Sequence, residues 1–389
     1  MDFDFQWLLL GLPLAFALGW LASRLDLRQW KREQRETPRA YFKGLNLLLN
    51  EQHDKAIDAF IEAVQHDPDT TDLHFALGNL FRRRGEYERA VRVHEHLLNR
   101  GDLPAAERER AQHGLAQDYM KAGLFDRAES AWQALEGTAY DTEARLALLT
   151  LHERSRDWRA AVDDAHKLER SGTGSYASRI GHYWCELAQE ADTKGQTADA
   201  DDALRRAREA APQAARPLVQ QGQRALAAGQ ADEAIRRWRE LAATHPASFA
   251  LVAADFARAA ADTGAADDAR LLLDAMYRKA PSLDLLEAIG LLEAAPQTQR
   301  ARLAEHLQQH PGLSAAHALM RLHEPPAPTD DATPSVDELQ AIERAVAQAA
   351  RPLQRYRCAA CGFESQQYFW QCPGCMNWDT FPPQRLEDQ

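Results

Sequence analysis

Four of the chain's five cysteines lie within its last 32 residues. They have the spacing C-x₂-C-x₁₀-C-x₂-C and are Cys358, Cys361, Cys372 and Cys375. Each Cys-x-x-Cys turn brings two sulfurs to one side of a tight loop, and two facing turns form a tetrahedral S₄ cage that suits zinc or iron. In an oxidising compartment the same residues would form two disulfides instead, so the compartment of this end of the chain decides between the two chemistries.

The opposite end of the chain carries a segment with the properties of a membrane anchor. Residues 5–22 are eighteen residues without a charge, which reaches the lower limit for a helix that crosses about 30 Å of hydrocarbon. Asp2 and Asp4 precede this segment, whereas seven Lys and Arg residues follow it between Arg24 and Lys43. The positive-inside rule therefore places the amino terminus outside and the rest of the chain in the cytoplasm.

We predict a retained single-pass anchor over residues 1–23, with its N-terminus in the periplasm, and a basic juxtamembrane segment over residues 24–36. A cleaved signal peptide would instead need basic residues ahead of the apolar stretch and a small-residue cleavage site after it. Because the cytoplasm is reducing, the four cysteines are expected as thiolates on one metal ion, iron or zinc, rather than as disulfides.

Length and charge narrow the classes of function. The chain has 389 residues, 45% of them hydrophobic, so it has room for a large folded body or a repeat array. Its net charge is −12, and residues 351–389 carry four arginines against four carboxylates. Because neither the whole chain nor the cysteine-rich tail is basic, nucleic acid is excluded as the main partner.

The middle of the chain repeats with a period of 34 residues. Its first unit fits the G-x₂-Y … A-x₃-F-x₂-A … P frame of the tetratricopeptide repeat, with Gly44, Leu47, Ala56, Phe60, Ala63 and Pro68. Glycines recur where the first helix of each pair must turn, at Gly85, Gly123, Gly195, Gly229 and Gly264. Prolines recur where the second helix must end, at Pro68, Pro212, Pro246 and Pro281. Residues 37–322 therefore resemble an all-α tetratricopeptide-repeat solenoid of eight or nine repeats.

Resemblance to tetratricopeptide repeats also implies a concave face lined by the first helix of each pair. On that face we expect a docking groove for a peptide or protein, with local positive charge in spite of the acidic whole. An ordinary solvated helix face is the alternative. The candidate partner-binding residues are Phe75, Asn79, Arg82, Arg83, His113, Gln117 and Lys121.

Three further segments follow the repeats. Residues 323–335 contain four prolines among acidic residues, which indicates a linker. A helix over residues 336–352 begins with a capping box, Ser335 and Glu338, and is expected to cap the solenoid. Residues 355–383 are too few to fold without a metal. Their many aromatic residues form either a small core around the cage or an exposed contact surface.

The cysteine-rich module resembles the rubredoxin-like knuckle, with Cys358-Ala-Ala-Cys361-Gly362 and Cys372-Pro373-Gly374-Cys375. Zinc and iron both fit such a site, and a structural or docking role is favoured over redox work because the sequence offers no second cofactor site.

Motifs for catalysis are lacking in the sequence, which contains no G-x₄-GK-[ST], H-E-x-x-H or G-x-S-x-G. Two histidine pairs, His94 with His96 and His306 with His310, are expected on the surface. We therefore expect that the protein is not an enzyme and has no catalytic residues.

An N-out anchor, a tetratricopeptide-repeat array and a terminal tetracysteine module together resemble the lipopolysaccharide assembly protein B family of Gram-negative bacteria. The resemblance implies an adaptor of the inner membrane that brings the deacetylase of the lipid A pathway to a membrane-anchored AAA+ protease for degradation. It also implies an inner-membrane antagonist that senses lipopolysaccharide, and it leaves a homodimer open. The alternatives are a general envelope-assembly scaffold and an iron-dependent redox protein.

Overall fold

The computed structural model describes most of the chain after residue 41. The described residues are 16–20, 42–47, 49–50, 52–66, 70–293, 295–322 and 336–388. The predicted segments 24–36 and 323–335 lie outside them, as does most of the predicted anchor, residues 1–23. Among the described residues, no helix is both long and apolar enough to cross a membrane.

The described chain is almost entirely helical. Residues 42–47 are helical, and the helices that follow are α1 (His53–His66), α2 (Thr71–Arg84), α3 (Tyr87–Leu98), α4 (Ala105–Ala122), α5 (Phe125–Gln133), α6 (Asp141–Ser155), α7 (Trp158–Arg170), α8 (Ala177–Thr193), α9 (Thr197–Ala210), α10 (Ala215–Ala227), α11 (Ala231–Thr244), α12 (Pro246–Phe249), α13 (Ala253–Asp262), α14 (Ala266–Lys279), α15 (Leu283–Leu291), α16 (Pro296–Gln309), α17 (Leu313–Arg321) and α18 (Val336–Ala350). Short 3₁₀ turns cover Ala250–Val252 and Leu386–Asp388.

The chain divides into two compact units. Unit 1 comprises residues 1–160 and 167–173, and unit 2 comprises residues 161–166 and 174–389. In unit 1, α2 packs on α3 and α4 packs on α5. In unit 2, α8 packs on α9, α10 on α11, α14 on α15, and α17 on both α16 and α18. Within each unit, helices that follow one another in sequence pack together, which confirms the predicted all-α solenoid.

Glycines at the predicted turns explain why the first helices stop where they do. Gly85 ends α2 and Gly123 ends α4, both in the left-handed conformation, with φ of 84° and 75°. The Gly85 amide donates to the Arg82 carbonyl, and the Gly123 amide donates to the Met120 carbonyl. A residue with a Cβ would be strained there, so the repeating glycine fixes the length of the helix.

Other glycines let the two helices of a pair approach closely. A Cβ added to Gly222 in α10 would overlap the indole of Trp238 in α11, which is fully buried. Gly78 and Gly114 both face the ring of His94, with the added Cβ within 2.7 Å of it. The missing side chains of these glycines thus leave room for the rings of Trp238 and His94 on neighbouring helices.

A small ribbon follows α18. Strand β1 (Tyr356–Arg357) pairs antiparallel with β2 (Glu364–Ser365), with Tyr356 opposite Ser365. A single bridge joins Gln371 to Trp378. The two pairings hold together the loops that carry the four cysteines.

Candidate metal centre and the surface it rests on

The four predicted ligands meet in the ribbon, where all four Sγ atoms lie within 4.8 Å of one another. Cys358 Sγ lies 3.8 Å from Cys375 Sγ, and Cys361 Sγ lies 3.6 Å from Cys372 Sγ. A tetrahedral ion with metal–sulfur bonds of about 2.3 Å separates its sulfurs by about 3.8 Å, whereas a disulfide needs about 2.05 Å. The cysteines therefore form a tetrathiolate site for one metal ion, and its geometry suits zinc and iron alike.

The two Cys-x-x-Cys turns are built in the same way. In each, the sulfur of the first cysteine, Cys358 or Cys372, accepts hydrogen bonds from the backbone amides two and three residues later. The residue after the second cysteine is left-handed in both turns, Gly362 with φ 77° and Met376 with φ 60°. Glycine adopts this conformation freely, whereas a side chain there costs about 1–2 kcal/mol. The second turn is therefore the more strained of the two.

The two first cysteines differ in acidity. Burial favours the neutral thiol of Cys358, but the Thr380 hydroxyl, 3.2 Å from Sγ, and the backbone amides outweigh it and lower its pKa to about 6. Burial dominates at Cys372 and raises its pKa to about 12. A cation therefore meets a thiolate at Cys358 at neutral pH and must displace the proton of Cys372 as it binds.

A bound ion would cross-link the two Cys-x-x-Cys turns and so stabilise the fold of the ribbon. The ribbon core is small. Its buried members are Tyr356, Cys358, Cys372 and Phe381, and Leu251, Tyr368, Phe369 and Cys375 pack against them. Structural sites of this kind contribute about 10–16 kcal/mol of apparent binding free energy, which becomes folding free energy. Most ribbon aromatics thus form a core around the cage, whereas Phe363 is 40% exposed.

One ribbon carboxylate makes polar contacts with α8 in the repeats of unit 2. His182 Nε2 in α8 lies 2.9 Å from both carboxylate oxygens of Asp379, and the Ser178 hydroxyl donates to the same group at 2.9 Å. Burial raises the pKa of Asp379, but the bonds from His182 and Ser178 and the charge of Arg216 outweigh it, and the net shift is downward. An ionised Asp379 therefore fastens the ribbon to α8.

Two ribbon tryptophans lie beside this carboxylate. Trp378 stacks on His182, with ring centroids 4.7 Å apart and an interplanar angle of 18°. The guanidinium of Arg216, in α10, lies 5.8 Å from the Trp378 ring centre and 6.0 Å from that of Trp370. Trp370 also packs against the core of the neighbouring repeats. We call Ser178, His182, Arg216, Trp378 and Asp379 the latch.

The end of the chain caps two helices of unit 2. The carboxylate of Glu387 accepts hydrogen bonds of 3.1 and 3.2 Å from the Ser314 amide at the start of α17. Asp388 accepts a hydrogen bond from the Leu283 amide at the start of α15, while burial and the nearby charge of Asp284 raise its pKa to about 6. Both contacts satisfy amides that a helix start leaves unpaired.

The predicted partner-binding residues lie on α2 and α4 of unit 1 and differ in exposure. Phe75 is only 2% exposed and lies beneath Arg110, whose guanidinium is 4.1 Å from the ring centre. The structure therefore places Phe75 in the core and not on the predicted surface. Of the other candidates, the exposed ones are Asn79, Arg83 and Lys121, and the half-buried ones are Arg82, His113 and Gln117.

A buried charge network fixes one of these residues. Arg82 donates to Asp118 at 2.7 Å, and the other oxygen of Asp118 lies 2.6 Å from His94 Nδ1. His94 is 1% exposed, so its predicted surface position is wrong, because glycines on the neighbouring helices leave room for its ring. His306 is also buried, and its Nδ1 lies 2.7 Å from the Tyr277 hydroxyl.

Sequence reasoning missed the latch. His182 and Arg216 look like ordinary polar residues of two helices, and Asp379 looks like a solvated acid near the C-terminus. One signal was available, since His182 and Arg216 lie 34 residues apart and thus occupy equivalent positions in consecutive repeats. Two polar side chains at one position of the repeat frame mark a face with a specific contact.

Comparisons with known proteins agree with this architecture. Residues 356–383 match the family model described as a rubredoxin metal binding domain. Lipopolysaccharide assembly protein B of Escherichia coli K12 is 32% identical over 97% of this chain and 98% of its own length. The protein of that name from Haemophilus influenzae is 26% identical over 97% of both chains. A tetratricopeptide repeat protein from Parabacteroides merdae is similar over 66% of this chain and 99% of its own, at 13% identity and a TM-score of 0.33, a likeness too distant to carry an argument.

The repeats and the cage together define a tetratricopeptide-repeat protein with a docked rubredoxin-like metal ribbon. The similarity to the E. coli relative extends over nearly the whole of both chains. The chain belongs to the lipopolysaccharide assembly protein B family, which confirms the family expected from the sequence.

Proposed function

We propose that the protein is a non-enzymatic adaptor that regulates lipopolysaccharide synthesis at the inner membrane. The observation that carries the proposal is the full-length similarity to relatives named lipopolysaccharide assembly protein B, at 32% identity over 97% of this chain. The described residues support a scaffold, because they form stacked helix pairs with broad exposed faces and one metal site whose ligands are all cysteines.

In this proposal the adaptor presents the deacetylase of the lipid A pathway to a membrane-anchored AAA+ protease. Residues 1–23 anchor the chain with its N-terminus in the periplasm, residues 24–36 lie on the cytoplasmic surface, and the bulk is cytoplasmic. Tethering to the plane of the protease raises the effective concentration of the deacetylase without a strong pairwise contact. An inner-membrane antagonist that senses lipopolysaccharide opposes the adaptor, which acts as a monomer or a homodimer.

We place one partner-binding surface on the first helices of unit 1. Because Asp118 holds Arg82, and His113 lies 2.8 Å and Gln117 3.3 Å from Glu143, these half-buried side chains are fixed. Among the candidate residues, the exposed cations are Arg83 and Lys121, and the exposed amide of Asn79 lies on α2 with Arg83. A surface with fixed polar groups and two exposed cations suits an acidic segment of the deacetylase.

Charge reversal tests this surface. Arg83→Glu with Lys121→Glu should lengthen the half-life of the deacetylase in cells, because the acidic segment would be repelled. The control is Arg92→Glu, which reverses one exposed charge on α3, a second helix of a pair, and is compared with each single variant and with the double variant. If the deacetylase has the same half-life with the double variant as with the control, this surface does not bind the deacetylase.

Depletion of the protein separates the adaptor from its alternatives. Quantitative proteomics should show one protein, the deacetylase, rising sharply, whereas diffuse changes would favour a general envelope-assembly scaffold. A chain without residues 1–23 should not restore the normal level, since it would no longer share the plane of the protease. An iron-dependent redox protein would instead show a visible absorption band and a reversible titration of the purified protein, which a zinc site would lack.

A further inference from the structure

The face of unit 2 beneath the ribbon is built from two polar rows. Ser178 and His182 lie one turn apart on α8, and Arg216 and Gln220 lie one turn apart on α10. Residues four apart on a helix share a side, so each pair forms a row along its helix. His182 and Arg216 are each only 3% exposed, and Gln220 is 6% exposed. Ser178 is exposed, and the other three polar side chains are costly to bury unless they are hydrogen-bonded.

The ribbon uses this face incompletely. Arg216 donates to Glu186 at 2.6 Å, but within the described chain its Nε has no hydrogen-bond partner. The same holds for both amide atoms of Gln220. A buried polar atom without a partner destabilises the folded state. The face therefore offers more hydrogen-bonding groups than the ribbon engages.

What the ribbon places there resembles a short peptide ligand. Trp378 contributes an aromatic ring that stacks on His182 at 4.7 Å, and the next residue, Asp379, contributes a carboxylate to His182 and Ser178. An aromatic ring followed at once by an acidic group thus occupies the two rows. Arg216 is already paired with Glu186, and its Nε is the guanidinium nitrogen that could donate to a further acidic group.

The cage holds this segment in position. The Cys372 amide donates to the Asn377 carbonyl at 2.8 Å, and the Thr380 hydroxyl lies 3.2 Å from Cys358 Sγ. Residues on both sides of Trp378 and Asp379 therefore depend on the folded cysteine turns. Loss of the cage would free the segment from the rows.

We propose that this face of α8 and α10 is a binding site for a segment with an aromatic residue followed by an acidic residue. Trp378 and Asp379 occupy it in cis while the tetrathiolate site is intact, and a segment of another protein with the same chemistry occupies it when the ribbon is released. The proposal goes beyond the adaptor function and does not depend on it.

A labelled peptide tests the site in the full-length protein. The probe is a fluorescein-labelled peptide with the sequence of residues 376–381, Met-Asn-Trp-Asp-Thr-Phe. The opened variant carries Trp378→Ala and Asp379→Ala and keeps all four cysteines. With an effective concentration of the internal segment on the order of 1 mM and a peptide Kd on the order of 0.1 mM, the opened variant should bind about tenfold more tightly than wild type by fluorescence anisotropy.

Three controls make the test specific. Arg357→Ala changes an exposed ribbon residue away from the latch and should bind the peptide as weakly as wild type. A peptide with Asn in place of its Asp, and the opened variant with His182→Ala added, should both lose binding. If the opened variant loses its metal, wild type treated with a chelator provides a second way to release the ribbon and should show the same gain in affinity.

The proposal is overturned if neither the opened variant nor the chelated protein binds more tightly than wild type, or if the Asn peptide binds as well as the Asp peptide. The peptide assay does not measure turnover of the deacetylase. Failure of this binding site can therefore be distinguished from failure of the adaptor function.

Discussion

Replacement of His182 by alanine should loosen the ribbon while leaving it folded. The substitution removes two contacts of 2.9 Å to Asp379 and the stack on Trp378 at 4.7 Å. A hydrogen bond to a charged group contributes about 1.5–3 kcal/mol and an aromatic pair about 0.5–1.5 kcal/mol. Half of the Asp379 side chain is exposed and Ser178 remains as a partner, so water recovers much of the loss. We expect a net cost of about 1.5–2 kcal/mol to ribbon docking.

Hydrogen exchange measures this cost directly, because amides exchange through local opening. The amides of residues 376–381 should exchange about ten- to thirtyfold faster in His182→Ala than in wild type, since 1.4 kcal/mol is a factor of ten. Asp379→Ala should act similarly, and the double variant should add little to either single one, because both remove the same interaction.

His317→Ala is the matched control for that experiment. This histidine lies in α17, its Nε2 is 3.8 Å from Glu343, and it is not part of the latch. Its replacement should leave exchange at residues 376–381 unchanged. If His182→Ala accelerates exchange less than twofold, or if the two single effects add in full, the latch does not hold the ribbon.

Three further outcomes follow from the structure. Cys372→Ser with Cys375→Ser should release the metal and unfold the ribbon while far-UV circular dichroism keeps the helical signal, because the repeats have their own cores. Gly222→Ala should lower stability by about 1–3 kcal/mol in thermal unfolding, whereas Gly290→Ala, whose added methyl meets nothing nearer than 3.5 Å, should be neutral or stabilising. Asp388→Asn should raise the Tm more at pH 7.5 than at pH 5. The pKa of Asp388 is raised to about 6, so its contribution to stability in wild type is present below the ordinary carboxyl pKa and lost as the pH rises through 6. An equal rise in Tm at both pH values would contradict a raised pKa for Asp388.

The repeat period and the cysteine spacing could be predicted from the sequence. The 34-residue spacing of Gly195 and Gly229 reflects one local requirement, a left-handed turn, repeated in each helix pair. The four cysteines were equally readable, because the geometry of an S₄ cage depends on two short loops. Both patterns depend only on residues close together in sequence, so they can be recognised without knowing the tertiary packing.

Contacts between residues far apart in sequence could not be predicted in this way. His182 and Asp379 are 197 residues apart, and no local pattern marks either one. The burial of Phe75 and His94 depends on side chains of neighbouring helices, which the repeat frame places only approximately. Hydrophobic and hydrogen-bonding partners across repeats are set by tertiary packing, and that information is spread over the whole solenoid.

The adaptor function is tested most directly by reconstitution. The membrane-anchored AAA+ protease and the purified full-length chain are placed in one liposome membrane, the deacetylase is added, and its rate of degradation is measured with and without the chain. We predict that the metal-loaded chain accelerates degradation and that a chain without residues 1–23 does not. Degradation at the same rate in all three reactions would contradict the proposal that this protein delivers the deacetylase to the protease.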